Sequence, residues 1–143
     1  MSAMQALQAT LAGEHAAVYL YGVVGGRLPD STHPALADLV AAAYTTHRAR
    51  RDRLEAVIHA GGATPIASAV SYETPTPCRT VPQLTEAAAT VERRCAGLYA
   101  ALVAATVGSQ RGWAVDALTD SAVRALGFGA TPTAFPGLSG STA

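Results

Sequence analysis

Apolar residues recur every three or four positions through most of this chain, and polar residues interrupt the pattern at only a few places. The first seam runs Leu7, Leu11, Glu14, Val18, Tyr21, Gly25, Leu28, all on one face of a helix, with a carboxylate at its middle. The second reads Leu36, Val40, Ala43, His47, Leu54, Ile58, with Arg50 and Arg51 flanking it in the turn after His47. The third is Leu84, Ala88, Val91, Cys95, Leu98, Leu102, with Glu92 and Tyr99 at its edge, one heptad apart. A fourth, weaker face is Ala114, Leu118, Ala122, Ala125, which leaves Asp116, Asp120, Arg124 and Trp113 on the other side. Ile66–Tyr72 is short and broken by alanine and serine, so no strand competes.

Cap and breaker residues divide the pattern into four helices. Ser2-x-x-Gln5 and Thr80-x-x-Gln83 are capping boxes, and Pro34 and Pro82 fall in first turns. The first helix should stop at Gly25-Gly26 before Pro29. The second should start near Ser31 or Thr32 and reach Gly61-Gly62. The third should stop near Gly108, and the fourth should begin after Ser109 and fade at Gly127 and Gly129. Short links make antiparallel hairpins of helices one and two and of three and four. The Pro-rich segment between Gly61 and Thr80 is long enough, at about 60 Å when extended, to run along helices of roughly 40 Å. The predicted fold is an all-α, ferritin-like four-helix bundle, two antiparallel hairpins joined by a long crossover. From Thr131 the chain is rich in Pro, Gly, Ser and Thr and forms a tail packed through Phe135 and Leu138. The bundle domain is thus residues 1–138, and 139–143 is a flexible end.

Composition narrows the function classes. Half of the residues are hydrophobic but only 6% are aromatic, so the core is built from small aliphatics. Lysine and asparagine are absent and all ten basic residues are arginine, the codon signature of a GC-rich genome. A net charge of zero argues against nucleic acid as a partner. No apolar run approaches the roughly 20 residues of a membrane span. With no basic leader and cleavage site, a cytoplasmic protein is expected. Cys78 and Cys95 lack metal spacing and are read as free thiols, Cys95 on an apolar face.

Candidate chemistry centres on Glu14. A lone buried carboxylate costs several kcal/mol, so a metal, a cation or a proton must accompany it, or its burial must be incomplete. Ferritin-like carboxylate proteins hold two metals with a Glu from each of two helices and a Glu-x-x-His from each of the others, a set suited to iron or manganese. Here Glu14 and Glu92 are present, but the second helix offers Tyr44-x-x-His47 or His47-x-x-Arg50 and the fourth has no histidine. The reading is a metal-free, buried polar network of Glu14, His47, Arg50, Arg51 and Glu92, completed by tyrosines such as Tyr21 or Tyr44. If a metal were bound, Glu14, His47 and Glu92 would hold it. The Arg-rich run from His47 to Arg53 is read as a solvated helix face with Arg48–Asp52 and Arg51–Glu55 pairs. His15 points roughly 100° away from Glu14 and should make an interhelical hydrogen bond. His33 reads as a helix-start residue and His59 as surface.

Four blocks carry a further likeness. They are Ala12-Gly13-Glu14-His15-Ala16-Ala17-Val18-Tyr19-Leu20-Tyr21-Gly22, His47-Arg48-Ala49-Arg50-Arg51-Asp52, Ala117 to Arg124, and Thr133-Ala134-Phe135-Pro136-Gly137-Leu138. Through them the chain, from Ala3 to Leu138, resembles the actinobacterial ferritin-like domain family of unknown function. The resemblance implies a ferritin-like bundle and brings no activity, cofactor or substrate. It also implies roles for His15, Tyr21, Asp52, Asp120 and Arg124, the last two by packing against the Arg-rich turn or the tail. The leading expectation is a structural or binding module without cofactor, a homodimer formed through Ala16, Ala17, Ala100, Ala101 and Ala104. The alternative is a divergent iron- or manganese-dependent oxidoreductase. A third is a small-molecule binder with a pocket under the crossover, lined by Tyr72, Tyr99 and Trp113.

Overall fold

Side-chain caps set the starts of the first and third helices in the structure, a computed structural model that describes residues 1–138. Helix α1 (Ala3–Arg27) opens on a reciprocal capping box between Ser2 and Gln5. It runs through Gly25 and Gly26, past the expected stop, and ends where Leu28 turns extended (φ −72°, ψ 130°). Pro29 explains that stop, because a residue before proline is pushed out of helical conformation. Helix α2 (Pro34–Ala60) starts later than expected, behind His33, and closes on Gly61. Helix α3 (Val81–Ala105) has half of its predicted box: the Thr80 hydroxyl accepts from the Gln83 amide, but Gln83 Oε1 accepts from the Arg79 amide instead. Helix α4 (Gly108–Gly127) follows after two residues. No strand occurs among the described residues.

Paired side chains give the helix directions. Met4 lies at Gly61 and Gly25 faces Val40, so α1 and α2 are antiparallel. Glu14 meets Tyr99 while Tyr21 meets Glu92, so α1 and α3 are antiparallel too. Arg111 donates to the Val103 carbonyl and Trp113 packs edge-on against Tyr99, which makes α3 and α4 a hairpin. The remaining side, between α2 and α4, is bridged by long side chains, Arg50 to Ser121 and Arg124 to Thr46. Helices α2 and α3 therefore run in the same direction, as the long crossover requires. That crossover straps the outside of α1 along its length. Gln8 pairs with the backbone of Thr64 and Ile66, His15 reaches the Ile66 carbonyl, Tyr19 packs on Tyr72, and Arg27 donates to the Pro77 and Cys78 carbonyls.

The core is aliphatic, with Leu7, Leu11, Leu20, Val24, Leu54, Ile58, Leu84 and Leu102 buried among alanines. Two helical faces differ from the sequence pattern. In α1 the stripe drifts to Ala17, Leu20 and Val24, leaving Val18 half-buried and Gly25 exposed. Ala17 thus belongs to the core rather than to a free alanine face. In α4 the buried face is Ala114, Ala117, Ser121 and Ala125 rather than the Leu118–Ala122 face. This rotation moves Asp120 and Arg124 from the outside to the rim of the core. Both cysteines are buried free thiols. No described helix is long and apolar enough to cross a membrane. The expected flexible end, 139–143, lies outside the described residues.

Candidate functional site

Three helices each send one ionisable side chain to a common point at mid-bundle. Glu14 of α1, His47 of α2 and Glu92 of α3 are all fully buried. His47 Nδ1 lies 2.6 Å from Glu14 Oε2, and its Nε2 lies 3.0 Å from Glu92 Oε1. A neutral imidazole has one N–H and one lone pair, so it can satisfy one carboxylate but not two. An imidazolium donates to both. Burial pushes the His47 pKa down, but the hydrogen bonds and negative charges of Glu14 and Glu92 outweigh it and hold the pKa at about 9.

Two buried tyrosines complete the carboxylates. The Tyr99 hydroxyl donates to Glu14 Oε1 at 2.5 Å, and the Tyr21 hydroxyl donates to Glu92 Oε1 at 2.6 Å. Burial, reinforced by these neighbouring charges, pushes both phenols far above their ordinary range, so they serve as donors only. The Tyr21 ring also stacks on the imidazole, centroids 5.3 Å apart and planes 17° apart.

A second tier of charge joins α2 to α4. Arg50 donates to Ser121 Oγ at 2.9 Å, to the Ala117 carbonyl at 3.3 Å and to Asp120 at 2.6 Å, with its guanidinium 5.3 Å from the Tyr99 ring centre. Arg124 bonds Asp120 and Thr46, and its Nε lies 3.5 Å from Glu92 Oε1. That last contact is an ion pair but not a hydrogen bond; Arg124 Nε and, separately, Glu92 Oε2 have no hydrogen-bond partner among the described residues. Three carboxylates (Glu14, Glu92, Asp120) face three cations (His47, Arg50, Arg124), and the cluster balances to zero.

Several residues singled out from the sequence lie elsewhere. Arg51 points outward and pairs with the exposed Asp52, so neither belongs to the network. Arg50 and Arg51 follow His47 by three and four positions, so both flank its face, and it is Arg50 that is buried against α4. Tyr44 packs beneath Arg48 instead of completing the carboxylates. His15 bonds the crossover, with Glu55 of α2 3.9 Å away. Tyr72, Tyr99 and Trp113 line no common pocket, since Tyr72 sits on Tyr19 at the strap while Tyr99 faces Glu14. Thr46 and Ser121 join the network without a seam or motif that points to them. A mid-helix serine among alanines was the available signal for Ser121.

The donor set can be tested against a two-metal centre. Glu14, His47 and Cys95 offer ligand atoms all within 4.8 Å of one another. However, both imidazole nitrogens and every glutamate oxygen except Glu92 Oε2 are engaged by protein partners. Burial, then the charges of Glu14 and Glu92, hold Cys95 firmly as the thiol. The Arg124 guanidinium stands 3.5 Å from Glu92 Oε1, and α4 otherwise adds only Ser121 and Asp120. These residues do not fit a di-metal carboxylate centre.

Among the described residues, the fold and site are those of an all-helical, four-helix protein with an internally compensated polar centre. The family model described as a domain of unknown function (DUF4439) matches residues 6–140, and the chain belongs to that family. Among solved structures it is similar to a conserved hypothetical protein of Mycobacterium tuberculosis, with 34% identity and a TM-score of 0.81. That match covers 88% of this chain and 94% of the other. No curated protein matches.

Proposed function

We propose that the protein is a ferritin-like bundle working as a metal-free structural or binding module, its centre a salt-bridged Glu/His/Arg network instead of a di-metal site. The antiparallel hairpins and the long strap joining two parallel helices support the ferritin-like assignment. The observation that carries the reading is His47, held at both ring nitrogens between Glu14 and Glu92. An imidazolium there supplies the positive charge that a metal would otherwise bring, and it locks α1, α2 and α3 to one another. Protein purified without chelator should contain far less than one equivalent of iron or manganese by elemental analysis, and chelator should leave its melting temperature unchanged. A stoichiometric transition metal would refute the proposal.

The oxidoreductase reading is favoured by one observation, the closeness of Glu14, His47 and Cys95. It requires added iron or manganese to displace the His47 protons and to raise stability in proportion to metal bound. A homodimer is also part of the proposal, now through the partly exposed Ala16, Ala100, Ala101 and Ala104. Light scattering at high concentration tests it, and a monomer would exclude it. We assign the protein to the cytoplasm, in keeping with its buried free thiols. Its neutral net charge supports a partner other than nucleic acid.

A further inference from the structure

After α4 the chain turns at Gly129 and returns across α3 as a strap, residues 131–138. It is pinned by Gly137, whose φ of +82° favours glycine and whose missing side chain would collide with the Ala96 carbonyl. Gly97 of α3 lies opposite, with the Gly137 carbonyl 3.7 Å from where its Cβ would be. Backbone therefore meets backbone there, and the strap is held close to α3.

The strap does not fill the space it covers. Between it and α3 and α4 lies a cleft of about 1010 Å³. Its walls include Leu98, Leu118, Val123 and Leu126, and its roof carries Phe135 and Leu138. Phe135 and Leu138 are 61% and 62% exposed, so neither plugs the cleft. Such a volume, apolar with few polar groups, is typical of a small-molecule site. The ionisable groups lining it are Arg93 and Arg94, with no carboxylate among the lining residues. Arg93 shares Glu86 at 3.3 Å, and Arg94 makes no ion pair among the described residues. An apolar trough with uncompensated positive charge on its lining complements a molecule with a long apolar chain and an anionic head.

We propose that this cleft binds a single-chain anionic amphiphile of the long-chain carboxylate class. The hydrocarbon lies between α3, α4 and the strap, and the carboxylate sits at Arg94 and Arg93. The site is separate from the buried network, so its failure would leave the metal-free centre standing, and the reverse holds too.

The test is titration of the full chain with oleate, read by displacement of a fluorescent fatty acid, with oleyl alcohol and dodecylamine as comparisons. Saturable one-to-one binding of oleate is expected. Replacing both arginines (Arg93→Ala with Arg94→Ala) should weaken oleate about tenfold, the value of a charge-assisted pair, and oleyl alcohol by less than about threefold. Ala122→Trp should fill the cleft and remove binding of both. Phe135→Ala, at an exposed position on the roof, should leave the melting temperature unchanged and weaken both, whether or not the tryptophan variant folds. No saturable oleate binding, equal affinity for dodecylamine, or binding unchanged by Phe135→Ala would overturn the proposal. So would protein that sediments with phosphatidylglycerol vesicles but ignores monomeric oleate, or a dimer across this face that oleate does not dissociate.

Discussion

The two tiers of the polar network solve the same electrostatic problem in different ways. At the centre, Glu14 and Glu92 are wholly excluded from water and share one imidazolium, with a tyrosine donating to each. At the rim, Asp120 is 45% exposed and shares two guanidiniums, Arg50 and Arg124, with solvent still at hand. A central partner cannot be replaced by water, whereas a rim partner can. The difference also explains the choice of cation. Imidazolium carries two donors on opposite edges of a small ring, so one side chain from α2 spans α1 and α3. A guanidinium on a long stem suits the α2–α4 side, where the helices are joined by side-chain reach.

This contrast sets an order of expected effects. His47→Ala should be the most damaging, because it strands two carboxylates; a loss of about 3–5 kcal/mol in urea unfolding is expected. A loss no greater than that of the rim variants would erase the distinction between the tiers. Next comes pH. His47 has a folded pKa of about 9 against an ordinary 6.5. Its contribution is fully present below pH 6.5 and is lost as pH rises through 9, a fall of about 3 kcal/mol. Thermal melts across that window should show the decline in the native protein and not in His47→Ala. Tyr99→Phe leaves Glu14 Oε1 buried without its donor and should cost about 1–3 kcal/mol by the same unfolding assay. Asp120→Asn, half-exposed and screened, should cost no more than about 1 kcal/mol. Smallest is Arg51→Ala, within about 0.5 kcal/mol of the native protein, because its pair with Asp52 lies at the surface.

Much of this was legible from residue spacing. The four helices and the crossover follow from seams and caps that act locally, and Glu14 announced itself by breaking a seam. His47 was visible for the same reason. The choice between Arg50 and Arg51 was not, because both flank the seam and only the α2–α4 packing decides between them. The buried face of α4 lies one position away from the face its periodicity predicts. Its small residues define a face poorly: alanine at 114, 117, 122 and 125 fits two stripes equally well, and the one that is buried carries Ser121. Tyr99 was seen at a seam edge, but its bond to Glu14 depends on the register of α1 against α3. Gly13 packs against the Leu98 side chain across that same interface. Pairings between helices are tertiary facts, and one helix's periodicity holds no record of them.

The central claim is that a doubly protonated His47 closes the bundle's core. Nitrogen NMR of protein labelled at histidine, followed from pH 6 to 10, reads this directly. The account predicts one imidazole with protons on both ring nitrogens at neutral pH, titrating near 9 and absent from the His47→Ala spectrum. A neutral single tautomer at pH 7, or a His47 nitrogen shifted by a bound metal, would contradict it.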